Sequence, residues 1–408
     1  MRIALFLILF LFSGFVFAQN PAADSLYTLA QKAYRGGQMK EALLKTQTLM
    51  NVDGAMKNYD HATLASRVFL ANGLFQQADS FLVPFWNAAA PNVEILELKW
   101  RIQASKNDWT EARKWAEIGL QSFPVDSDTW NWRKTLSSFE LKNVDQGLED
   151  LKLLSDSLQK SDPGQSLKTD LLRQLPRTVG IHWWNAQINQ PQRLPWNLFQ
   201  LEYGDRSAKL PWNVRGSYGA FFGLQSVQLE GECYPKLGKN AYGYVHLGLS
   251  PSGDLFPFAR FSAEYFKAFS KGEWSAGMKY LRYSSLQVAL ATAHAELDFG
   301  KGYNVGGRTY LGVAQNKVFP AQALWLRKNW PLRECWVQAD FQVGQIPYAW
   351  IFIPGLEPVS SVRTGFQAQF RVKDVFFLRP LVAYEREEYY PARFRNRINS
   401  QITLQYRF

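Results

Sequence analysis

The chain has 408 residues, of which 15% are aromatic, and it carries a formal net charge of +11 at pH 7. This length is enough for two domains. The sequence contains no CxxC, HExxH, GxxxxGK[ST] or strand–GxGxxG–helix pattern, so the common signatures of metal, phosphate and dinucleotide sites are absent. We therefore expect neither a cofactor nor a metal ion.

The first eighteen residues have the pattern of a secretory signal peptide. Arg2 supplies a positive charge, residues 3–17 are almost all apolar, and Val16 and Ala18 are small enough for a signal peptidase. The apolar run is shorter than the roughly 20 residues of a membrane-spanning helix. We expect residues 1–18 to be removed on export. The basic charge then has the anionic cell envelope as its counterpart, and we expect no nucleic acid as a partner.

Residues 19–165 show a helical repeat. Small residues recur at Ala42, Ala78, Ala112 and Gly147, with spacings of 36, 34 and 35, and each one opens a helical segment after a turn containing Gly or Asn. A period near 34 with paired helices is typical of tetratricopeptide repeats, which stack into a solenoid and bind ligands on its concave face. We expect a periplasmic repeat domain that binds a protein or a glycan. An irregular helical domain is the alternative.

A polar stretch with Pro163 and Gly164 follows the repeats. It predicts either a linker over residues 166–178 or a break before one last helix at 165–175.

From residue 179 onward the pattern changes to period two, as in "VQLEGECY" and "FARFSAEYF". A soluble β-sandwich gives similar alternation. Three features favour an outer-membrane β-barrel over residues 179–408: strands of 10–13 residues, connections that alternate between short and long, and aromatic residues near strand ends. The pattern predicts an interfacial position for Trp196, Trp212, Tyr242, Trp274 and Trp330. The strand count is 12 to 14, and the fold class is therefore an α-solenoid followed by an antiparallel transmembrane barrel.

One parity of these strands carries charged residues, whereas the other carries residues such as Val227, Leu229 and Phe366. An Arg or Lys that faces lipid near the midplane costs about 2–4 kcal/mol, so the charged parity is predicted to face the lumen. The charged residues assigned to the lumen are Glu230, Glu232, Arg260, Glu264, Arg308, Asp340, Arg363 and Arg371.

The same strand parity predicts which face of the barrel holds the two cysteines and the side chains of the last strand. Cys233 and Cys335 fall on the lipid-facing side of the fourth and eleventh strands, which predicts free thiols. The C-terminal residues Tyr406 and Phe408 also face lipid, and a terminal aromatic residue resembles the signal that barrel-assembly machinery binds. The last strand must pair with the first, near residues 179–189, to close the sheet.

Residues 195–285 resemble the YaiO-type outer-membrane β-barrel family. The resemblance is carried by Pro195 with Trp196, the "CYPKL" turn, the tyrosines at 242 and 244, "LFP" at 255–257, and "KYLRY". Beyond residue 300 it is a resemblance of pattern alone. It implies a barrel in the outer membrane, with lipid and the assembly machinery as partners, and it provides no catalytic residues.

Three functions fit this organisation. The first is a component of envelope assembly or exopolysaccharide export, in which the repeats gather the polymer or its enzymes and the barrel passes the chain outward. The second is a scaffold whose barrel is filled by its own ion pairs and conducts nothing. The third, which we disfavour, is a lipid-modifying hydrolase with His294 as the base, Glu296 on the same face, and Ser284 or Ser285 as the nucleophile.

Overall fold

The computed structural model describes residues 21–189, 195–206, 209–221, 223–315, 317–344, 360–390 and 392–408. They form two compact units, divided between Leu171 and Leu172. The expected signal peptide lies outside the described residues.

The N-terminal part is helical. Its α-helices are α1 (Pro21–Arg35), α2 (Met39–Met50), α3 (Tyr59–Ala71), α4 (Phe75–Ser80), α5 (Val93–Ser105), α6 (Trp109–Ser122), α7 (Ser127–Glu140), α8 (Val144–Lys152), α9 (Asp156–Lys160) and α10 (Asp162–Arg173). Side-chain caps start several of them: for example, the Asn58 side chain accepts hydrogen bonds from the backbone N–H groups of Asp60 and His61. In the described part of the chain, no helix combines the length and apolar character needed to cross a membrane.

The small residues of the repeat lie where paired helices pack together. Ala42, Ala78 and Ala112 are fully buried on α2, α4 and α6. Gly147 occupies the same place on α8, and a Cβ atom there would lie 2.6 Å from Leu171 Cδ2. The helical region is thus confirmed, with pairs that recur at the predicted spacing, whereas its assignment to the tetratricopeptide class stays a prediction.

The C-terminal part is a closed antiparallel barrel of fourteen strands. They are β1 (Arg177–Ile188), β2 (Trp196–Asp205), β3 (Trp212–Phe221), β4 (Leu224–Cys233), β5 (Ala241–Leu249), β6 (Ala259–Phe269), β7 (Gly272–Arg282), β8 (Gln287–Asp298), β9 (Tyr303–Ala314), β10 (Lys317–Trp330), β11 (Cys335–Gly344), β12 (Ser360–Lys373), β13 (Phe376–Tyr390) and β14 (Arg393–Arg407). A three-residue strand, Lys236–Gly238, pairs with β5 inside the β4–β5 connection.

The predicted closure is confirmed. β14 pairs with β1 from Thr178 opposite Arg407 to Ile188 opposite Arg397. Closure removes the unpaired edges that hydrocarbon does not tolerate. We call the end of the barrel that contains Arg177 and Arg407 the terminal end, and the opposite end the distal end.

Several boundaries differ from the sequence-based expectation. Residues 166–173, one reading of which was a linker, are helical and complete α10. The segments "AQNKVFP" and "REEYYPARFRN" are mostly strand, because the alternating pattern continues through them. Gln315 and Ala392 within them adopt positive φ. The long connection at 345–359 lies outside the described residues.

The outward face of the barrel is apolar. Leu201, Leu229 and Leu324 have exposed fractions of 59%, 63% and 57%, as expected for side chains that contact lipid. Cys233 and Cys335 are free and partly exposed, which confirms the prediction of unpaired thiols.

Candidate functional site

The inward parity of the strands holds the charged residues, which are buried or partly buried. The exposed fraction is 2% for Glu230, 4% for Arg260 and 7% for Glu264. Because strand side chains alternate between the two faces of a closed sheet, these groups face the lumen. The lumen is therefore the candidate site.

Six neighbouring strands contribute to one continuous charge network. Glu202 on β2 lies 3.2 Å from His182 Nε2 on β1 and 3.3 Å from Arg215 Nη2 on β3. Arg215 also lies 3.8 Å from Glu230 and 3.9 Å from Glu232, both on β4. The network thus runs around the wall through alternating signs.

Glu230 is the centre of this network. Its Oε1 atom accepts a hydrogen bond from Arg260 Nη1 on β6 at 2.9 Å and lies 3.1 Å from His246 Nε2 on β5. Glu232 accepts hydrogen bonds from the hydroxyls of Tyr234 and Tyr244 at 2.9 and 3.2 Å. Burial raises the pKa of the Tyr234 hydroxyl, which lies in the connection after β4. Tyr234 therefore stays a hydrogen-bond donor at neutral pH.

Further charged residues lie around the rest of the wall. Arg308 on β9 lies 3.0 Å from Glu264, which also accepts a hydrogen bond from Ser275. Arg363 donates to Gln342 at 3.4 Å. The Asp340 carboxylate occupies the space beside Gly365, where a Cβ atom would lie 2.7 Å from its oxygens.

A separate cluster lies at the terminal end of the lumen. Glu334, in the turn between β10 and β11, is within 3.4 Å of Arg173, 3.3 Å of Arg371 and 3.2 Å of Arg407. Arg371 was predicted to face the lumen, and the structure places it at this end. Three guanidinium groups around one carboxylate make this end of the lumen basic.

The distal end of the lumen holds an apolar cluster, beside the guanidinium groups of Arg395 and Arg397, which lie 5.8 and 5.1 Å from the ring of Trp196. A buried cluster on β1 to β3 packs against two residues of the β5–β6 connection. These two, Leu255 and Phe256, have exposed fractions of 2% and 1%. The connection, residues 250–258, therefore folds into the lumen. The strand members of the cluster are Ala186, Ile188, Trp196, Leu198 and Phe221.

Two of the aromatic residues assigned to the membrane interface are inside the barrel. Trp196 is 2% exposed and belongs to the distal apolar cluster. Tyr242 stacks on Phe266 at 4.7 Å and donates to Glu273. Both lie at strand ends, as expected, but on the inward parity. Trp212, Trp274 and Trp330 do have exposed side chains near the terminal end.

The residues of the hydrolase hypothesis are not brought together. His294 stacks on Trp325 with ring centroids 5.4 Å apart, and Trp325 Nε1 donates to Glu296 at 2.8 Å. Ser284 donates to Asp254 at the distal end. His294 pairs across the sheet with Ser275, so more than about 20 Å of strand β7 separates His294 from Ser284.

Sequence reasoning missed part of the lumen. Glu385 and Arg397 form a fully buried pair at 2.6 Å on β13 and β14. The inward parity of these strands could have identified both. Among the described residues, no group of three or more His, Cys, Asp or Glu side chains is arranged to hold a metal ion.

A comparison with known protein families also identifies a membrane β-barrel in this chain. Residues 178–349 match the YaiO membrane beta barrel domain. The match covers β1 to β11 and confirms the resemblance seen in residues 195–285. The chain is therefore an outer-membrane β-barrel with an N-terminal helical region. A comparison with curated proteins finds no match.

Solved structures similar to this chain include a hydrocarbon channel, an outer membrane secretin and a porin. The CymD monoaromatic hydrocarbon channel is 8% identical with a TM-score of 0.40, and the match covers 61% of this chain and 93% of that one. A bacterial polysaccharide outer membrane secretin is 8% identical with a TM-score of 0.39, and the match covers 57% of this chain and 99% of that one. An anion-selective porin from Comamonas acidovorans is 7% identical with a TM-score of 0.34, and the match covers 57% of this chain and 98% of that one. Sequence identities and TM-scores this low carry no information on cargo.

Proposed function

We propose that this protein is a scaffold of the outer membrane whose barrel is closed to solutes. The helical region lies in the periplasm and recruits a protein or glycan of envelope assembly. The observation that carries the proposal is the burial of paired charges on the lumen wall, together with the connection at 250–258, which folds into the distal end. The proposal assigns no catalytic step.

Barrel size alone does not decide whether solutes pass. Eight-stranded barrels are filled by side chains, whereas barrels of 16–18 strands leave an aqueous channel. Fourteen strands fall between these cases. Here Glu230, Arg260, Glu385 and Arg397 are 1–4% exposed, so water reaches very little of their surface. Charged side chains of both signs occur together on the lumen wall, because each buried charge needs a partner.

The recruiting role is tested in intact cells. The full chain and a variant without residues 39–122 would be cross-linked in the periplasm, and attached proteins and glycans identified. We expect a specific partner with the full chain and none with the variant, while both proteins reach the outer membrane. A partner that still attaches to the shortened chain would contradict the proposal.

Exopolysaccharide export is the second candidate. The inward-facing rings of Tyr242, Tyr244 and Trp325, next to charges of both signs, form surfaces suited to a neutral or weakly charged glycan. Export requires the lumen contents to move aside. A deletion strain that secretes normal amounts of polysaccharide would count against export and would leave the scaffold role in place.

A further inference from the structure

One seam of the barrel is much shorter than the others. β4 and β5 pair only from Leu229 opposite Leu249 to Cys233 opposite Val245, which is five positions. Other neighbouring strands pair over eight to fourteen positions, as in β11–β12 and β13–β14. The distal half of β4, residues 224–228, is paired with β3 but not with β5.

The sequence after β5 explains the short seam. Continued pairing would place residues 250–254 opposite residues 224–228. Pro251 has no N–H to donate, and Gly253 adopts a φ of +68°, so the chain turns into the lumen. In place of a backbone ladder, the Ser226 hydroxyl contacts those of Ser250 and Ser252, each at 3.2 Å.

The unpaired part of the seam separates two apolar environments. On the lipid side, Val227 and Leu249 are exposed by 51% and 54%. On the lumen side lie Leu255 and Phe256, which fill the distal cluster. Among the described residues, serine contacts and the connection at 250–258 close the gap between them.

A buried polar group without a partner lies beside the same seam. Gln228 is 3% exposed, and its Nε2 atom has no hydrogen-bond acceptor among the described residues. This atom points across the seam, because a Cβ atom on Gly248 of β5 would lie 3.4 Å from it. A buried donor without an acceptor is unfavourable, so a ligand that supplies an acceptor at this position would be stabilised by the hydrogen bond.

We propose that the β4–β5 seam is a lateral portal for one acyl chain of a membrane lipid. The chain enters from the leaflet at the distal end, displaces Leu255 and Phe256, and lies in the distal apolar cluster. The Gln228 amide then donates to the ester or amide carbonyl of that chain. This inference does not depend on the scaffold role, since it concerns only the distal half of the barrel.

The portal is tested with the full chain in phosphatidylcholine vesicles that contain a phosphatidylcholine with a diazirine at the end of one acyl chain. After irradiation, tandem mass spectrometry locates the label. We expect label on Leu255 and Phe256, which are buried and out of reach of the bilayer unless a chain enters. Label confined to outward residues such as Val227, which is 51% exposed, would overturn the proposal.

A cross-link gives the matched test. In a Cys233→Ser/Cys335→Ser background, Ser226→Cys and Ser250→Cys replace hydroxyls 3.2 Å apart, close enough for a disulfide. Oxidation should abolish labelling of Phe256, and reduction should restore it. The control pair, Val313→Cys and Val318→Cys, lies opposite one another on β9 and β10 and should leave labelling unchanged.

A second variant acts in the opposite direction and needs no disulfide. Phe256→Ala empties part of the distal cluster, so labelling of Phe221 and Leu255 should increase. Unchanged labelling in Phe256→Ala, or equal labelling in the oxidised and reduced seam variant, would each overturn the proposal.

Discussion

Removal of the Arg260 guanidinium should destabilise the barrel strongly. In Arg260→Met, Glu230 loses the hydrogen bond at 2.9 Å and stays 2% exposed among the remaining residues of the network. Loss of one partner of a buried ion pair costs about 3–5 kcal/mol. His246 at 3.1 Å and Arg215 at 3.8 Å still lie near the carboxylate. We therefore expect the lower end of this range, about 3 kcal/mol.

The assay is equilibrium unfolding of the reconstituted barrel in urea. The double variant Glu230→Gln/Arg260→Met removes both charges and should recover most of the lost stability, because no unpaired buried charge is left. The control Arg177→Met removes one partner of a pair with Asp205 in which the Arg177 side chain is 54% exposed, and it should cost less than about 1 kcal/mol. The reasoning would be refuted if Arg260→Met cost no more than Arg177→Met, or if the double variant were no more stable than Arg260→Met.

Three further predictions concern assembly and packing. Phe408→Ala should lower the fraction of heat-modifiable barrel in outer membranes, whereas Phe376→Ala at the same end should not, although Phe376 is the more exposed of the two (48% against 38%); equal fractions would remove the assembly-signal role. Gly219→Ala should lower the free energy of unfolding by about 1–3 kcal/mol, because a Cβ atom there lies 2.6 Å from the ring of Phe221. Gly216→Ala on the same strand has nothing within 4 Å and should be neutral, and a similar loss in both would contradict the inward position of Gly219. Gly119→Ala should destabilise the helical region, measured by its thermal unfolding, since its Cβ atom would lie 2.3 Å from the ring of Trp130; an unchanged melting temperature would contradict this packing.

Strand parity predicted the two faces of the barrel because one charge on the lipid side costs more than most packing contacts contribute. This reasoning assigned Glu230 and Arg260 to the lumen and Cys233 to the outer face, where the structure also places them. The same parity, applied to Trp196, would have placed it inside. Trp196 shares the inward parity of Leu198 and Glu202, whereas its position at a strand end favoured the membrane interface.

The partners within the lumen could not be predicted from the sequence. Which carboxylate meets which guanidinium depends on strand register and on barrel curvature, as for Glu264 and Arg308, which lie on strands three apart in the sheet. The infolded connection is also a long-range feature. "LFP" at 255–257 signals an apolar loop, but only closure of the barrel shows that Leu255 and Phe256 meet Phe221. The helical repeat was simpler to predict because its contacts are between neighbours along the chain.

The closed lumen is tested most directly by single-channel recording of the purified full chain in planar lipid bilayers. Because buried ion pairs line the interior and the connection at 250–258 folds into it, we predict insertion without steady conductance. Insertion should be confirmed independently by heat-modifiable migration of the protein recovered from the bilayer lipid. A steady open-channel current carried by the inserted wild-type protein would contradict the account.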